Sequence, residues 1–292
     1  MHVTDIGEYQ LSRVVESQAP FLEASAFIPD VDMDLVEANR DWLFPRFMEA
    51  GSNKIILAIQ SYILKTPRHT ILVDTCVGNH KPRPGRPMFD MLNTPYMAEL
   101  AAAGVQAEDV DYVLCTHLHI DHVGWNTKLL DGRWVPTFPN AKYIFARTEF
   151  NFWEERHRTG NDTVVPNVYG DSVLPVVESG QAVLVDNDYE LDHGIWFEHA
   201  PGHTVGNIVI NVASAGSTAI LTGDVVHHPL QLIRPQWSSR ACEDPAQSAR
   251  TRQAILERLA DSDTIMAPAH FAAPTCGHVH SHGDEFRFEF LR

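Results

Sequence analysis

The stretch "CTHLHIDHVGW", Cys115–Trp125, packs His117, His119, Asp121 and His122 into six positions directly after the apolar run "VDYVL" (110–114). Polar groups that dense beside a strand-like run are costly unless something satisfies them. The run reads as a strand, so His117 and His119 lie just past its end. Two residues apart on extended backbone, their side chains point the same way. Asp121 and His122 follow as the chain turns, and "HVGW" (122–125) reads as the start of a helix. Imidazole and carboxylate at this density suit Zn²⁺, Fe or Mn²⁺ rather than Ca²⁺.

Three more ligand-type residues stand where apolar runs end. His203 lies in "APGHTVGN" (200–207), after the strand-like "GIWFEH" (194–199). Asp224 ends "TAILTGD" (218–224), and His270 ends "TIMAPAH" (264–270). Each alone reads as a structural or surface residue. Together the set holds five imidazoles and two carboxylates. That exceeds what one four-coordinate zinc needs, whereas two metals sharing a carboxylate would use it all.

The 292 residues are 44% hydrophobic and 21% charged, enough for a sizeable core. The start "MHVTDIGEYQLSRVVESQ" lacks a basic segment followed by an apolar one, and no apolar run approaches the roughly 18 residues of a membrane span. The expectation is a soluble, cytoplasmic protein with no membrane partner. Asp and Glu number 38 against 22 Lys and Arg, a formal charge of -16. Such a chain repels a phosphate backbone, so no nucleic-acid partner is expected. The basic cluster "KPRPGRP" (81–87) reads as an exposed loop from its prolines and glycine. Cys76, Cys115, Cys242 and Cys276 are scattered and indicate neither a disulfide scaffold nor a zinc ribbon.

Strand-like runs recur at 54–64, 70–74, 110–116, 141–146, 194–200, 206–214, 218–224 and 264–270. Residues 88–104 have helical composition, with Pro95 as a start or break and Gly104 as a stop. Residues 244–262 read as a helix with Asp244 as cap, Pro245 at the first position and Gln247 completing a capping box. The order favours sheets sandwiched by helices over regular βαβ alternation. The expectation is one domain, 1–292, with an inserted aromatic-rich segment at 27–51. That segment would act as a cap, a pocket wall or a subunit contact, the last implying a homodimer.

"HLHIDH" (117–122) resembles the H-x-H-x-D-H signature of the metallo-β-lactamase superfamily. "PGHT" (201–204), "TGD" (222–224) and "PAH" (268–270) resemble its later motifs, in the same order. The resemblance spans roughly residues 50–285. It implies an α/β fold, the αββα sandwich, with a dinuclear site holding two Zn²⁺ per chain, or Fe or Mn. By that resemblance His117, His119 and His203 hold the first metal, Asp121, His122 and His270 the second, and Asp224 bridges them. Asp74 in "LVDT" (72–75) matches an early aspartate that orients a ligand histidine. The family usually has glycine after this motif, where this chain has Cys76.

The resemblance implies a hydrolase in which a metal-bridging hydroxide attacks a carbonyl, with Asp121 assisting proton transfer. Three residues after Asp224, N-acyl-homoserine lactonases typically carry a tyrosine, whereas this chain has His227. In that detail, and in "DHVGWN" (121–126) and "GHV" (277–279), it looks closer to the methyl parathion hydrolase-like branch. His227 would hydrogen-bond the oxyanion or serve as acid. Trp42, Phe44, Phe47 and Trp125 would line a pocket for an acyl or aryl group, although core packing explains each as well. The histidines of "HVHSHGD" (278–284) read as a surface turn. The metal motifs themselves hold no Lys or Arg, and the chain is acidic, so the expected substrate is a neutral lactone or carboxylic ester. Phosphotriester hydrolysis is the runner-up. Behind it stand a β-lactamase or thioesterase of the same superfamily and, from a different class, a non-catalytic metal-binding module.

Overall fold

The computed structural model describes residues 3–161 and 167–291. The chain divides into two compact units, Met1–Glu16 with Ile59–Tyr189, and Ser17–Ala58 with Glu190–Arg292. Among the described residues no helix is long and apolar enough to cross a membrane.

One seven-stranded sheet runs, in order, Thr4–Ile6, Tyr9–Glu23, Lys54–Lys65, Thr70–Val73, Tyr112–Leu114, Lys142–Ala146 and Ala182–Val185. The last four pair in parallel. Their runs Ile71–Val73, Val113–Leu114 and Tyr143–Ala146 are buried throughout, as parallel strands covered on both faces require. In the first unit Val113, Tyr143 and Phe145 share a core with Leu100, Phe138 and Phe150. The helix Tyr96–Ala102 starts directly after Pro95, and Gly104 follows at φ +76°.

Three of these parallel strands end at Val73, Leu114 and Ala146. Open parallel sheets place their ligand sites beyond such carboxyl ends. Asp74 follows the first end and His117 the second. At the third begins the helix Arg147–Thr159, which the sequence reading missed. The helix expected at "HVGW" is instead a single 3₁₀ turn, Gly124–Asn126. There Gly124 N–H donates to Cys76 O and Trp125 N–H to Thr75 O. A Cβ on Gly124 would stand 1.8 Å from the Val77 carbonyl oxygen, so only glycine permits this approach.

The "KPRPGRP" segment departs from its expected exposure. Lys81 and Arg83 are fully buried. Arg83 grips Asp171 with Nη1 at 2.6 Å and Nη2 at 2.8 Å, and Lys81 Nζ lies 3.4 Å from the same carboxylate. The Lys81 ammonium also sits 3.8 Å from the centre of the Trp134 ring. Prolines shaped the loop, but its cations point inward because Asp171 awaits them. Asp171→Ala would strand two buried cations and should cost about 3–5 kcal/mol of stability. Urea unfolding checks this, and a loss under about 1 kcal/mol would contradict it.

The second seven-stranded sheet runs Glu190–Asp192, Ile195–His199, Ile208–Ser214, Ser217–Gly223, Ile265–Pro268, Gly277–His282 and Glu285–Phe290. Its pairs are antiparallel except Ser217–Gly223 with Ile265–Pro268. The expected surface turn at 278–284 is therefore largely a strand, because His278, His280 and His282 alternate on a hairpin arm. The helix Pro245–Leu259 packs Ile255, Leu256 and Leu259 into the core of this unit. Asp244 caps it by accepting from Gln247 N–H at 2.8 Å. The box does not close, since the Gln247 amide donates instead to Thr251.

The 27–51 segment contains helices Met33–Ala38 and Arg40–Leu43. It builds a core of its own in the second unit, where Phe27, Ile28, Val36, Leu43 and Met48 meet Leu230, Ile233 and Trp237. Two of the aromatics expected to line a pocket are interior instead. Phe47 stacks on Phe290 with ring centres 5.3 Å apart. Trp125 stacks on Tyr96 at 5.3 Å and donates to the buried Glu16 carboxylate at 2.7 Å.

Candidate metal centre

In the first unit, His117, His119, Asp121 and His122 gather on the turn after Tyr112–Leu114. The His117 ring centre lies 4.7 Å from that of His119 and 4.0 Å from that of His122. His117 and His122 are buried. Leu118, between the first two histidines, packs into the core, which turns both imidazoles to the opposite side.

Asp74 organises this array. Its Oδ2 accepts from His122 Nδ1 at 2.8 Å and from the Thr116 hydroxyl at 2.9 Å, and its Oδ1 accepts from Thr116 N–H at 2.8 Å. The Thr116 proton is thus spent on a carboxylate. The contact at 3.1 Å between Thr116 Oγ1 and His117 Nδ1 must then be a donation from the ring. Both imidazoles carry their proton on Nδ1 and present Nε2 as a lone pair. Cys76, the departure from the family pattern, takes the glycine-like φ of +51° and is wholly buried, with Sγ 3.4 Å from Ser61 Oγ. The turn is kept without glycine.

In the second unit, three imidazoles crowd one carboxylate. His203 Nε2 and His227 Nε2 each lie 3.2 Å from Asp224 Oδ2, and His270 Nε2 lies 3.0 Å from Oδ1. All four residues are buried. Asp224 and His270 follow the ends of the paired parallel strands Ser217–Gly223 and Ile265–Pro268.

The chemistry of these donors fits a cation. His270 Nδ1 stands 2.8 Å from Ala58 O, which can only accept. The ring therefore donates from Nδ1, and its Nε2 faces a carboxylate oxygen. Groups 3.0 Å apart in this way share positive charge, a proton or a metal ion, between them. The first unit repeats the arrangement, with His122 Nε2 at 3.8 Å from Asp121 Oδ1. Electrostatics agree. Burial pushes the His203 imidazole down, but the Asp224 carboxylate and Cys242 thiol outweigh it and lift the group to about 10. The field there favours a cation at Nε2.

His227 behaves differently. Burial holds it down at about 4 against the pull of Asp224, so it is neutral at pH 7. Its Nε2 also lies 3.5 Å from the Ser239 hydroxyl, and its Nδ1 has no hydrogen-bond partner among the described residues. Backbone N–H groups of His227 and His228 both donate to Gln231 Oε1, which fixes the loop.

One residue near the array escaped the sequence reading. Glu149, 1% exposed, accepts at one oxygen from Leu118 N–H at 3.0 Å and from Trp153 Nε1–H at 2.7 Å. The signal available was its place just after the strand "AKYIFA", the same strand-end position that marked the candidate metal ligands.

The model of the metallo-β-lactamase superfamily matches residues 56–270. An N-acyl homoserine lactonase of a Bacillus species is 26% identical over 177 residues, 56% of this chain and 62% of that protein. The corresponding lactonase of Bacillus cereus is 25% identical over 181 residues, 58% of this chain and 64% of its own. The chain thus spans less than two thirds of the length of these relatives. Among solved structures, the dizinc quorum-quenching lactonase AidC with bound product superposes with a TM-score of 0.78 at 21% identity, covering 100% of this chain and 97% of that one. The hydrolase AbOPH superposes with a TM-score of 0.81 at 21% identity over the same shares. The expected αββα fold is the one shared with these structures. With a family match over most of its length, and the family's histidine and aspartate motifs at the ends of its strands, the chain belongs to the metallo-β-lactamase superfamily.

Proposed function

We propose that the chain is a dinuclear metal-dependent hydrolase of lactones or carboxylic esters, and that its two units work as one hydrolase domain. In this reading His117, His119 and His203 hold one ion, Asp121, His122 and His270 the other, and Asp224 is shared. The observation that carries it is Asp224 held against three buried imidazoles, His270 Nε2 at 3.0 Å and His203 and His227 Nε2 at 3.2 Å. Imidazoles and a carboxylate converging in this way are the donor set of a transition-metal site. Two Zn²⁺ fit the imidazole and carboxylate donors. When bound, such a pair activates water at neutral pH and polarises a carbonyl oxygen.

The chain's own groups supply the rest. Asp74 sets the tautomers of His117 and His122. Asp121, whose carboxylate is 16% exposed, can take a proton from the attacking water. His227 is neutral, with one ring proton to hydrogen-bond a developing oxyanion or to serve as acid. The lactonase relatives and the charge of -16 support a neutral acyl substrate over a polyanion.

A panel of lactones, aryl esters, phosphotriesters and β-lactams, run with and without chelator, tests the reading. Lactones and esters should turn over fastest and the chelator should stop them. Faster phosphotriester cleavage would replace the substrate class, and no chelator-sensitive turnover would remove the enzyme reading. Metal content is a separate check. Elemental analysis should give two transition-metal ions per chain, and His117→Ala or His122→Ala should lower occupancy and thermal stability together. One ion or none in wild type would contradict the seven-residue set.

A further inference from the structure

We propose that Glu149 is a positioning residue for the His117–His119 pair, the counterpart of Asp74 on the other side of the array; this rests on the dinuclear reading above. The bonds of Asp74 run to His122 directly and to His117 through Thr116. Glu149 acts on the backbone between the two histidines. Its Oε1 takes the Leu118 N–H at 3.0 Å, at the midpoint of the H-x-H step. The same oxygen takes the Trp153 indole N–H at 2.7 Å, and the Trp153 ring meets the His119 ring edge-on, 5.4 Å away at 74°. Leu118 is thereby held at its side chain by the core and at its amide by a carboxylate. The direction of both flanking imidazoles follows.

The topology gives this residue its place. Three adjacent parallel strands end at Val73, Leu114 and Ala146. Beyond them stand Asp74, the histidine array and Glu149, so the two carboxylates flank the array from neighbouring strands. A buried carboxylate is expensive where packing alone is needed, and glutamine or leucine would fill the position at lower cost. Partners that orient metal-ligating histidines typically contribute about 10–100-fold in metal affinity or activity.

The test is zinc release from the purified, zinc-loaded protein into a chromophoric chelator, with near-ultraviolet circular dichroism to verify folding. Glu149→Gln keeps an acceptor oxygen at the same reach and should hold both ions within about threefold of wild type. Glu149→Leu removes the acceptor and should loosen one of the two ions by about 10–100-fold while the other changes little. Glu149→Asp keeps the charge but withdraws the oxygen by one methylene, so it too should loosen that ion, by about tenfold. If the leucine variant does not fold, the aspartate and glutamine pair carries the comparison. Folded aspartate and leucine variants that hold both ions like wild type would overturn the proposal. So would a glutamine variant as loose as the leucine one, since an acceptor oxygen held in position would then not suffice. Wild type holding no metal sinks the dinuclear reading itself, whereas two ions in wild type with indifferent variants sinks only the role of Glu149.

Discussion

Asp224→Ala should abolish turnover, by at least about 10³-fold in kcat, while the protein still folds. The estimate exceeds the roughly 10–100-fold typical of outer partners because this carboxylate would touch both ions. Its two oxygens lie 3.0–3.2 Å from the nitrogens of His203, His227 and His270, so no neighbour can take over its position. Folding should survive because Asp224 stands past the end of Ser217–Gly223, whose buried residues Ala219, Ile220 and Leu221 are untouched. Far-ultraviolet circular dichroism and steady-state kinetics on one preparation decide it. A folded variant with near-wild-type kcat would refute the shared role.

His227→Ala should lower kcat by about 10²-fold or more and leave metal content intact, the size of effect seen when one oxyanion donor is removed. About 2.7 kcal/mol of transition-state stabilisation corresponds to that factor. The two nitrogens stand in different surroundings. Nε2 faces Asp224 and Ser239, and Nδ1 has no hydrogen-bond partner among the described residues. Burial keeps the ring neutral down to about pH 4, so the rate should show no His227 titration between pH 6 and 8. A variant whose KM rises at unchanged kcat would make His227 a uniform binder rather than a transition-state donor.

The metal motifs were legible because each follows an apolar run, and an apolar run followed by a ligand is a local pattern. Asp74 was legible through the resemblance of "LVDT" (72–75) to the family's early motif. Glu149 was not, because an acid in the first turn of a helix is ordinary there. Only the fold reveals that its oxygen reaches Leu118, 31 positions earlier. Lys81 and Arg83 misled for a related reason. Their partner Asp171 lies 88 positions beyond Arg83, so the prolines and glycine between the cations were the only local signal. The strand Tyr9–Glu23 was missed because its alternation breaks at Ser12–Arg13, where Val14 resumes burial out of step with Tyr9 and Leu11. The 3₁₀ turn at Gly124 depends on a carbonyl from the 74–77 loop, which no helical propensity encodes.

Within the second unit, the segment that precedes Lys54–Lys65 meets the loop bearing His227 through a few defined contacts. His228 accepts from Leu230 N–H at Nδ1 and therefore donates from Nε2 to Phe47 O at 2.8 Å, while the Phe27 ring packs edge-on against His227 at 5.5 Å. Substitutions among Phe27, Val36 and Leu43 should thus shift the loop bearing His227 without touching the residues proposed to hold metal. For laboratory evolution this separates two classes of library. On the proposed reading, randomising the histidine and aspartate motifs would endanger the metals, whereas randomising residues 24–48 would vary substrate preference with those motifs intact. Selection for a bulkier or slimmer acyl chain should therefore accumulate changes in that segment first.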